Sequence, residues 1–364
     1  MVRLLMAEDT QQQLVMADTA KRQVSYWCPG CHAPVRLKHG TVMVAHFAHQ
    51  ANEACDTFSE GETAEHLLGK RQLAAWFAAA GYTVQIEAHL PEIHQRPDVL
   101  VRLGEGRPLA LEFQCSPLTL DRLTQRTQGY RDHGYRVLWL LGSPYQHRLR
   151  TNSNALKFLQ YYAAWGCFLL YWLTRENGIK LLSNLMTIDG EPLSYQHQQW
   201  SVKQFSVLTL LAYRPVKLAA IQVPDHFRKY QQRLLLGRLS HQTGIVSLQT
   251  TCYQQGGTLA QLPSWVFLTV AKIPILKTTY LGWYLAIFLT LRCASRQLSQ
   301  LGLQLLISKT LRPCLATRPC LRSARHLKQA LVDTVISELM TAKVIVPQAA
   351  GWQLQPSQLD WQKS

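Results

Sequence analysis

The chain has no uninterrupted apolar run long enough to span a bilayer. Its most hydrophobic stretch, residues 264–291, is broken by Lys272, Pro274 and Lys277. The longer uncharged piece runs to about 14 residues, against the roughly 20 that a spanning helix needs. These segments are expected to be buried helices, with Trp265, Trp283 and Tyr284 as packing residues. A secretory signal is also missing, because the apolar stretch from Leu4 to Ala7 gives way at once to Glu8 and Asp9. Nine cysteines, an odd number, do not form a closed disulfide framework. Both absences point to a reducing, cytoplasmic setting. No internal repeat or low-complexity tract occurs. Acid is scarce in one region: between Glu191 and Asp333 only Asp225 stands against seventeen lysines and arginines, so that stretch carries +16 while the remainder is formally neutral. Such an excess, interleaved with apolar residues, is the footprint of phosphate contacts. A membrane surface would attract the same charge.

Two acids stand in strand-like stretches, Asp98 in Arg96 to Val101 and Glu112 in Leu109 to Gln114, separated by a loop around Gly104, Glu105 and Gly106. If the chain folds back symmetrically about Glu105, Asp98 lies opposite Glu112 and Gln114 shares their face. Directly opposed residues of an antiparallel pair hold their Cβ atoms roughly 4.5–5.5 Å apart. Two carboxylates so close repel one another, and a hard cation such as Mg2+ or Mn2+ removes that cost. The pattern reads as a metal-dependent phosphodiester site, although a plain hairpin with solvent-facing acids has the same spacing.

Upstream, Ser59 precedes Glu62 by the capping-box interval, and strong helix formers follow as far as Gly81. A helix is expected from about residue 60. On it Glu62, His66 and Lys70 form one polar stripe with Glu65 on its flank. A strand from Tyr82 to Ala88 follows and leads into the acidic hairpin.

Cys28 and Cys31 have the spacing of a metal knuckle, and His46, His49 and Cys55 follow at suitable distance, with a hairpin from Val35 to Ala45 between. Five candidates compete for four places around tetrahedral Zn2+, and Cys28, Cys31, His49 and Cys55 are the favoured set. A segment of this size cannot build a sufficient core alone, so the zinc is expected to be structural.

The order of these pieces resembles the PD-(D/E)xK nuclease superfamily and, more closely, the competence protein CoiA family. The matching residues are Cys28-Pro29-Gly30-Cys31, His46 to His49, Glu62-Thr63 with His66 and Lys70, Pro97-Asp98, Glu112 to Ser116, Arg126, Tyr130 and the strand from Val137 to Gly142. The resemblance covers residues 17–145 and fades beyond about 215. It implies that Asp98, Glu112 and the Phe113 carbonyl hold Mg2+ or Mn2+, and that Glu62 or Glu65 completes or orients the site. The lysine usual two residues after the second acid is Gln114 here. Gln114 cannot carry charge but can orient a water or phosphate oxygen, and Lys70 is a candidate substitute for the missing charge.

The expected fold is therefore α/β, a PD-(D/E)xK restriction-endonuclease-like core with a zinc-ribbon-like N-terminal segment and a basic, mainly helical C-terminal domain. The expected divisions are 1–57, 58–195 and 196–364. Residues 168–182 should form a hairpin about Asn177 and Gly178, and residues 240–261, rich in Gln, Thr and Gly, a loop or weak linker. The resemblance implies processing or recombination of internalised DNA, single-stranded or branched, in natural transformation. A non-catalytic accessory that binds DNA and a recombinase is the alternative. A zinc-finger transcription factor is disfavoured, since there is no tandem array.

Overall fold

A computed structural model describes residues 3–29, 31–40, 44–49, 63–102, 104–147, 149–216, 225–267, 270–322 and 324–362. The chain divides into two compact units, Met1–Ser183 with Gln196–Pro215, and Asn184–Tyr195 with Val216–Ser364.

The first unit opens with a six-stranded sheet of short strands: β1 (Arg3–Leu4), β2 (Met6–Glu8), β3 (Leu14–Met16), β4 (Tyr26–Trp27), β5 (Pro34–Lys38) and β6 (His46–His49), in the order β1-β6-β5-β4-β2-β3. Its small core is Leu4, Ala7, Tyr26, Cys28, Val35 and Phe47. Helix α1 (Ala64–Ala79) follows, then β7 (Thr83–Ile86), β8 (Val99–Arg102), β9 (Leu109–Gln114), α2 (Leu120–Asp132) and β10 (Arg136–Leu141). Strands β7, β8 and β9 are antiparallel neighbours, and β10 lies parallel to β9. Three further strands, β11 (Gln160–Tyr162), β12 (Gly166–Leu173) and β13 (Gly178–Met186), lead to β14 (Ser194–Ser201), and the larger sheet runs β14-β13-β12-β10-β9-β8-β7 with β11 beside β12. The β12–β13 hairpin turns before Gly178 as expected, with Asn177 in the left-handed region at φ 43°.

Helix α1 begins later than its sequence suggests. Thr63 is its cap, accepting a hydrogen bond from the His66 amide, while Ser59 and Glu62 lie outside the described residues. Its apolar residues Leu73, Trp76 and Phe77 pack on Val99, Leu111 and Phe113, the residues that alternation directs to one face of β8 and β9. On the other face Leu100 and Ala110 meet Tyr130 of α2. Gly69 lets α1 approach closely: a Cβ there would fall 2.1 Å from the Phe113 ring.

The second unit is mainly helical. It contains α4 (His226–Leu239), α5 (Thr243–Gln254), α6 (Tyr280–Arg292), α7 (Gln300–Leu311) and α8 (Ala324–Thr341), with a three-stranded sheet of β15 (Gln297–Leu298), β16 (Ile345–Gln348) and β17 (Gly351–Leu354). The short helix α3 (Val207–Ala212) belongs to the first unit. Trp283 and Tyr284 are buried on α6, whereas Trp265 is half-buried. The loop expected over 240–261 is largely α5. Its threonines do not break the helix because Thr250 and Thr251 donate their hydroxyls to the carbonyls of Val246 and Ser247 one turn back, and Gln249 and Cys252 are buried.

Gly69→Ala tests the α1 approach. Helix propensity alone would stabilise this substitution by about 1 kcal/mol, but overpacking against Phe113 is expected to cost more, about 1–3 kcal/mol. Urea unfolding followed by circular dichroism should therefore show a less stable variant; a more stable one would mean that α1 does not depend on this contact.

Candidate active site

Strands β8 and β9 pair Val99 with Leu111, Leu100 with Ala110 and Val101 with Leu109. This is the register of a fold about Glu105, and one step further sets Asp98 beside Glu112. On the other side β7 pairs Ile86 with Val99, and the Glu87 amide donates to the Asp98 carbonyl. Three acids, Glu87, Asp98 and Glu112, therefore stand in a row across three adjacent strands, all buried.

Each acid meets donors from a different element. Asp98 Oδ1 lies 3.0 Å from His66 Nε2 on α1, and Oδ2 accepts the Phe113 amide at 2.7 Å. Glu112 accepts from the Tyr130 hydroxyl and the Arg126 guanidinium, both on α2 and both at 2.5 Å. Arg126 and Tyr130 are one helical turn apart, which brings both to the sheet. Glu87 is ion-paired with Lys70 of α1 and, at 3.0 Å, with Arg96. The Leu5 amide, next to β1, lies 3.5 Å from Glu87 Oε1.

The mutual repulsion of Asp98 and Glu112 is offset within the protein by His66, Arg126 and Tyr130. Lys70 is fully buried against Glu87, and its charge also favours ionisation of Asp98. His66 and Lys70, the described part of the polar stripe, thus face the interior. Glu65 is turned to a loop, accepting the Ser143 amide at 2.8 Å and the Ser143 hydroxyl at 2.5 Å. Gln114 folds back on its own loop, donating to the Ser116 carbonyl at 2.9 Å and hydroxyl at 3.0 Å.

The environments push the acids apart. Burial opposes ionisation of Asp98, but His66, Lys70 and Arg126 outweigh it and hold the carboxyl well below the ordinary range. Burial pushes Glu112 up to about 7, with Arg126 countering and the Asp98 charge adding to the rise. For Glu87, burial is overcome by Arg96 and Lys70, and its carboxyl stays low.

Sequence reasoning missed Glu87 altogether and gave Arg126 and Tyr130 no role. Burial of Leu123, Thr127 and Tyr130 on α2 marks the helix face that carries the latter two. Glu87 leaves no comparable signal. Its backbone is left-handed at φ 54°, a conformation uncommon outside glycine that follows the end of β7.

In the N-terminal sheet Cys28, Cys31 and His49 offer ligand atoms all within 4.8 Å of one another, with Cys31 Sγ 3.3 Å from His49 Nε2. The turn after β4 carries both cysteines, and the β5–β6 register, Val35 opposite His49, brings the histidine to it. His46 stays apart. Three residues from His49 on the same strand, it points to the opposite face, and its Nδ1 lies 2.9 Å from the Val44 carbonyl. Cys55 lies outside the described residues. The donor set suits a soft-to-borderline cation such as zinc.

Because both Lys70 and Glu87 are almost wholly enclosed, Glu87→Gln should cost about 3–5 kcal/mol by breaking a buried ion pair. Lys70→Met combined with Glu87→Gln should recover most of that loss. Chemical denaturation of the single and double variants checks this, and additive losses would show that the two residues are not energetically paired.

Residues 62–215 match the family model described as competence protein CoiA, nuclease-like domain, and residues 8–58 match competence protein CoiA, N-terminal domain. The curated competence protein CoiA of Bacillus subtilis (strain 168) is 36% identical over 129 residues, which are 35% of this chain and 34% of that protein. The aligned part thus spans about a third of the relative's length. No solved structure matches. The two matched regions adjoin, include both the cysteine-histidine cluster and the acid row, and together exceed half of the chain, which therefore belongs to the competence protein CoiA family.

Proposed function

We propose that the protein is a metal-dependent nuclease that processes single-stranded or branched DNA taken up during transformation, with Asp98 and Glu112 as the acids of a PD-(D/E)xK-type site. The observation that carries this reading is the opposed pair Asp98 and Glu112 at the end of β8 and β9, flanked by α1 and α2. Two hard oxygen donors suit Mg2+ or Mn2+. An ionised carboxylate offers about four lone-pair sites, of which the Phe113 amide, His66, Arg126 and Tyr130 use a part. A cation held there would lower the pKa of a bound water and stabilise charge growing on the phosphate.

The chain's own groups would divide the remaining work. Asp98 stays anionic and supplies charge to the site. Glu112 gives up a proton near neutrality, so its ligation is linked to pH. Arg126, already beside Glu112, is placed to turn to a phosphate oxygen. Gln114 and the Ser116 loop would orient a polar group, and Glu65 fixes the loop at Ser143 next to the end of β10. A binding-only accessory to a recombinase is the second reading. It is favoured by one feature, the engagement of both Glu112 oxygens by Arg126 and Tyr130.

The cysteine-histidine cluster is proposed as a structural zinc site completed by Cys55. Four protein ligands leave no open position for water, which assigns the ion to folding rather than hydrolysis.

Two outcomes are expected. Asp98→Ala and Glu112→Ala should each abolish Mn2+-dependent cleavage of labelled single-stranded and branched DNA. In the wild type, Glu112 retains its proton up to about 7 but ionises near 4.5 in the unfolded chain. The folded state thus binds more protons across that window, so stability falls as pH rises through it, and cation binding must displace the proton. Mn2+ affinity by calorimetry should rise about tenfold per pH unit below 7 and level off above. Full cleavage by either variant, or a wild type inert with every divalent cation, would leave the accessory reading. For zinc, the wild type purified without chelator should carry about one ion per chain, and Cys28→Ser should lose it and expose the N-terminal segment to protease. Mass spectrometry of the intact metal-loaded protein reads the first, and metal-free wild-type protein would remove the zinc assignment.

A further inference from the structure

The second unit contains a cavity of about 890 Å³ between α4, α5, the first turn of α6 and the turn at Gly190. Pockets for small ligands have about this size. Tyr230 and Leu234 form a buried apolar floor, Ile245 and Leu248 a half-buried wall, and Arg233 and Lys277 an exposed cationic rim.

The fold holds this space open. Asp189 accepts the amides of Tyr280 and Leu281 at 3.0 and 2.6 Å, which ties the Gly190 turn to the start of α6. Arg233 pairs with Glu191 at 2.9 Å, tying the same turn to α4. Both local acids are thus engaged in building the wall. At Gly190, φ is +77° and a Cβ would meet the Tyr230 ring at 2.9 Å, whereas at Gly244 a Cβ would meet nothing within 4 Å.

We propose that this cavity receives an unpaired base of DNA, with the adjoining phosphate at Lys277 and the hydroxyl of Thr278. The inference rests on the reading that the protein acts on DNA. Charge selects the occupant. Between Glu191 and Asp333 seventeen basic residues stand against Asp225 alone, which favours a polyanion. An apolar floor behind a cationic rim matches a flat base attached to a phosphate. A base stacked within a duplex reaches such a floor only by leaving its stack. The pocket is therefore a device for preferring single strands, separate from the acid row.

Fluorescence anisotropy of the full-length protein with labelled oligothymidylate and a duplex of equal length tests this. The wild type should bind the single strand about tenfold more tightly. Ser247→Trp, which fills the cavity from its exposed rim, should abolish that preference while duplex binding changes less than about twofold and the unfolding midpoint is held. Lys277→Glu should weaken both forms and lower the salt dependence. Photo-crosslinking of wild-type protein to iodouracil-substituted oligothymidylate should map to Tyr230 or its neighbours in the cavity, which reads the site without any variant. Unchanged preference in Ser247→Trp, or crosslinks confined to other surfaces, overturns the pocket while leaving DNA cleavage at Asp98 and Glu112 intact. If the wild type binds both forms equally, the pocket is excluded and the nuclease reading stands. If it binds neither, but binds vesicles containing phosphatidylserine, the basic unit faces a membrane and the DNA assignment of this unit falls.

Discussion

The ion pair between Lys70 and Glu87, shut off from water, is the constraint around which the first unit is arranged. Neither charge could remain buried alone, since an isolated ion loses far more hydration than packing returns. Lys70 fixes the rotation of α1, and with it the placement of His66 one turn earlier. Glu87, beside Asp98 in the strand register, carries that constraint into the sheet. Arg96 and the Leu5 amide meet the same carboxylate, so the edge of the N-terminal sheet and the loop before Asp98 converge on one group.

From this follows the electrostatic character of the site. A row of three carboxylates would be unfavourable if it were bare. Here Lys70, His66, Arg96 and Arg126 are interleaved with it from both faces of the sheet. The result is an uneven pair, one acid held ionised and its neighbour poised near neutrality. Differences of this kind between adjacent titratable groups characterise sites that exchange protons or ligands.

The two units divide the chemistry by charge. Acids and their partners are gathered in the first, while the second is strongly basic and mainly helical. Lys272 there is buried, ion-paired with Glu338, which also accepts from Tyr284. Part of the basic excess is thereby spent on structure, and the exposed remainder, Lys277 among it, is what a polyanion would meet.

Much of the site was legible in the sequence because it is local. The symmetric hairpin placed Asp98 beside Glu112 through a period of two and a short loop. The cysteine spacing brought Cys28 and Cys31 together, and the helix with the strands that follow it could be read from capping and apolar periodicity. His46 and His49 could be separated by the same strand alternation once both were known to lie on β6. Three other features belonged to tertiary structure. Glu87 became a member of the acid row only through pairing of β7 with β8 and a left-handed backbone. Lys70 became interior because α1 packs it, with His66, against the sheet, where a lone helix would turn both to water. Arg126 and Tyr130 reached Glu112 through the crossover that lays α2 on the sheet. Sequence thus determined which side chains share a face, a consequence of backbone period. Only the folded chain decided which charges meet, because burial makes each of them depend on partners far away along the chain.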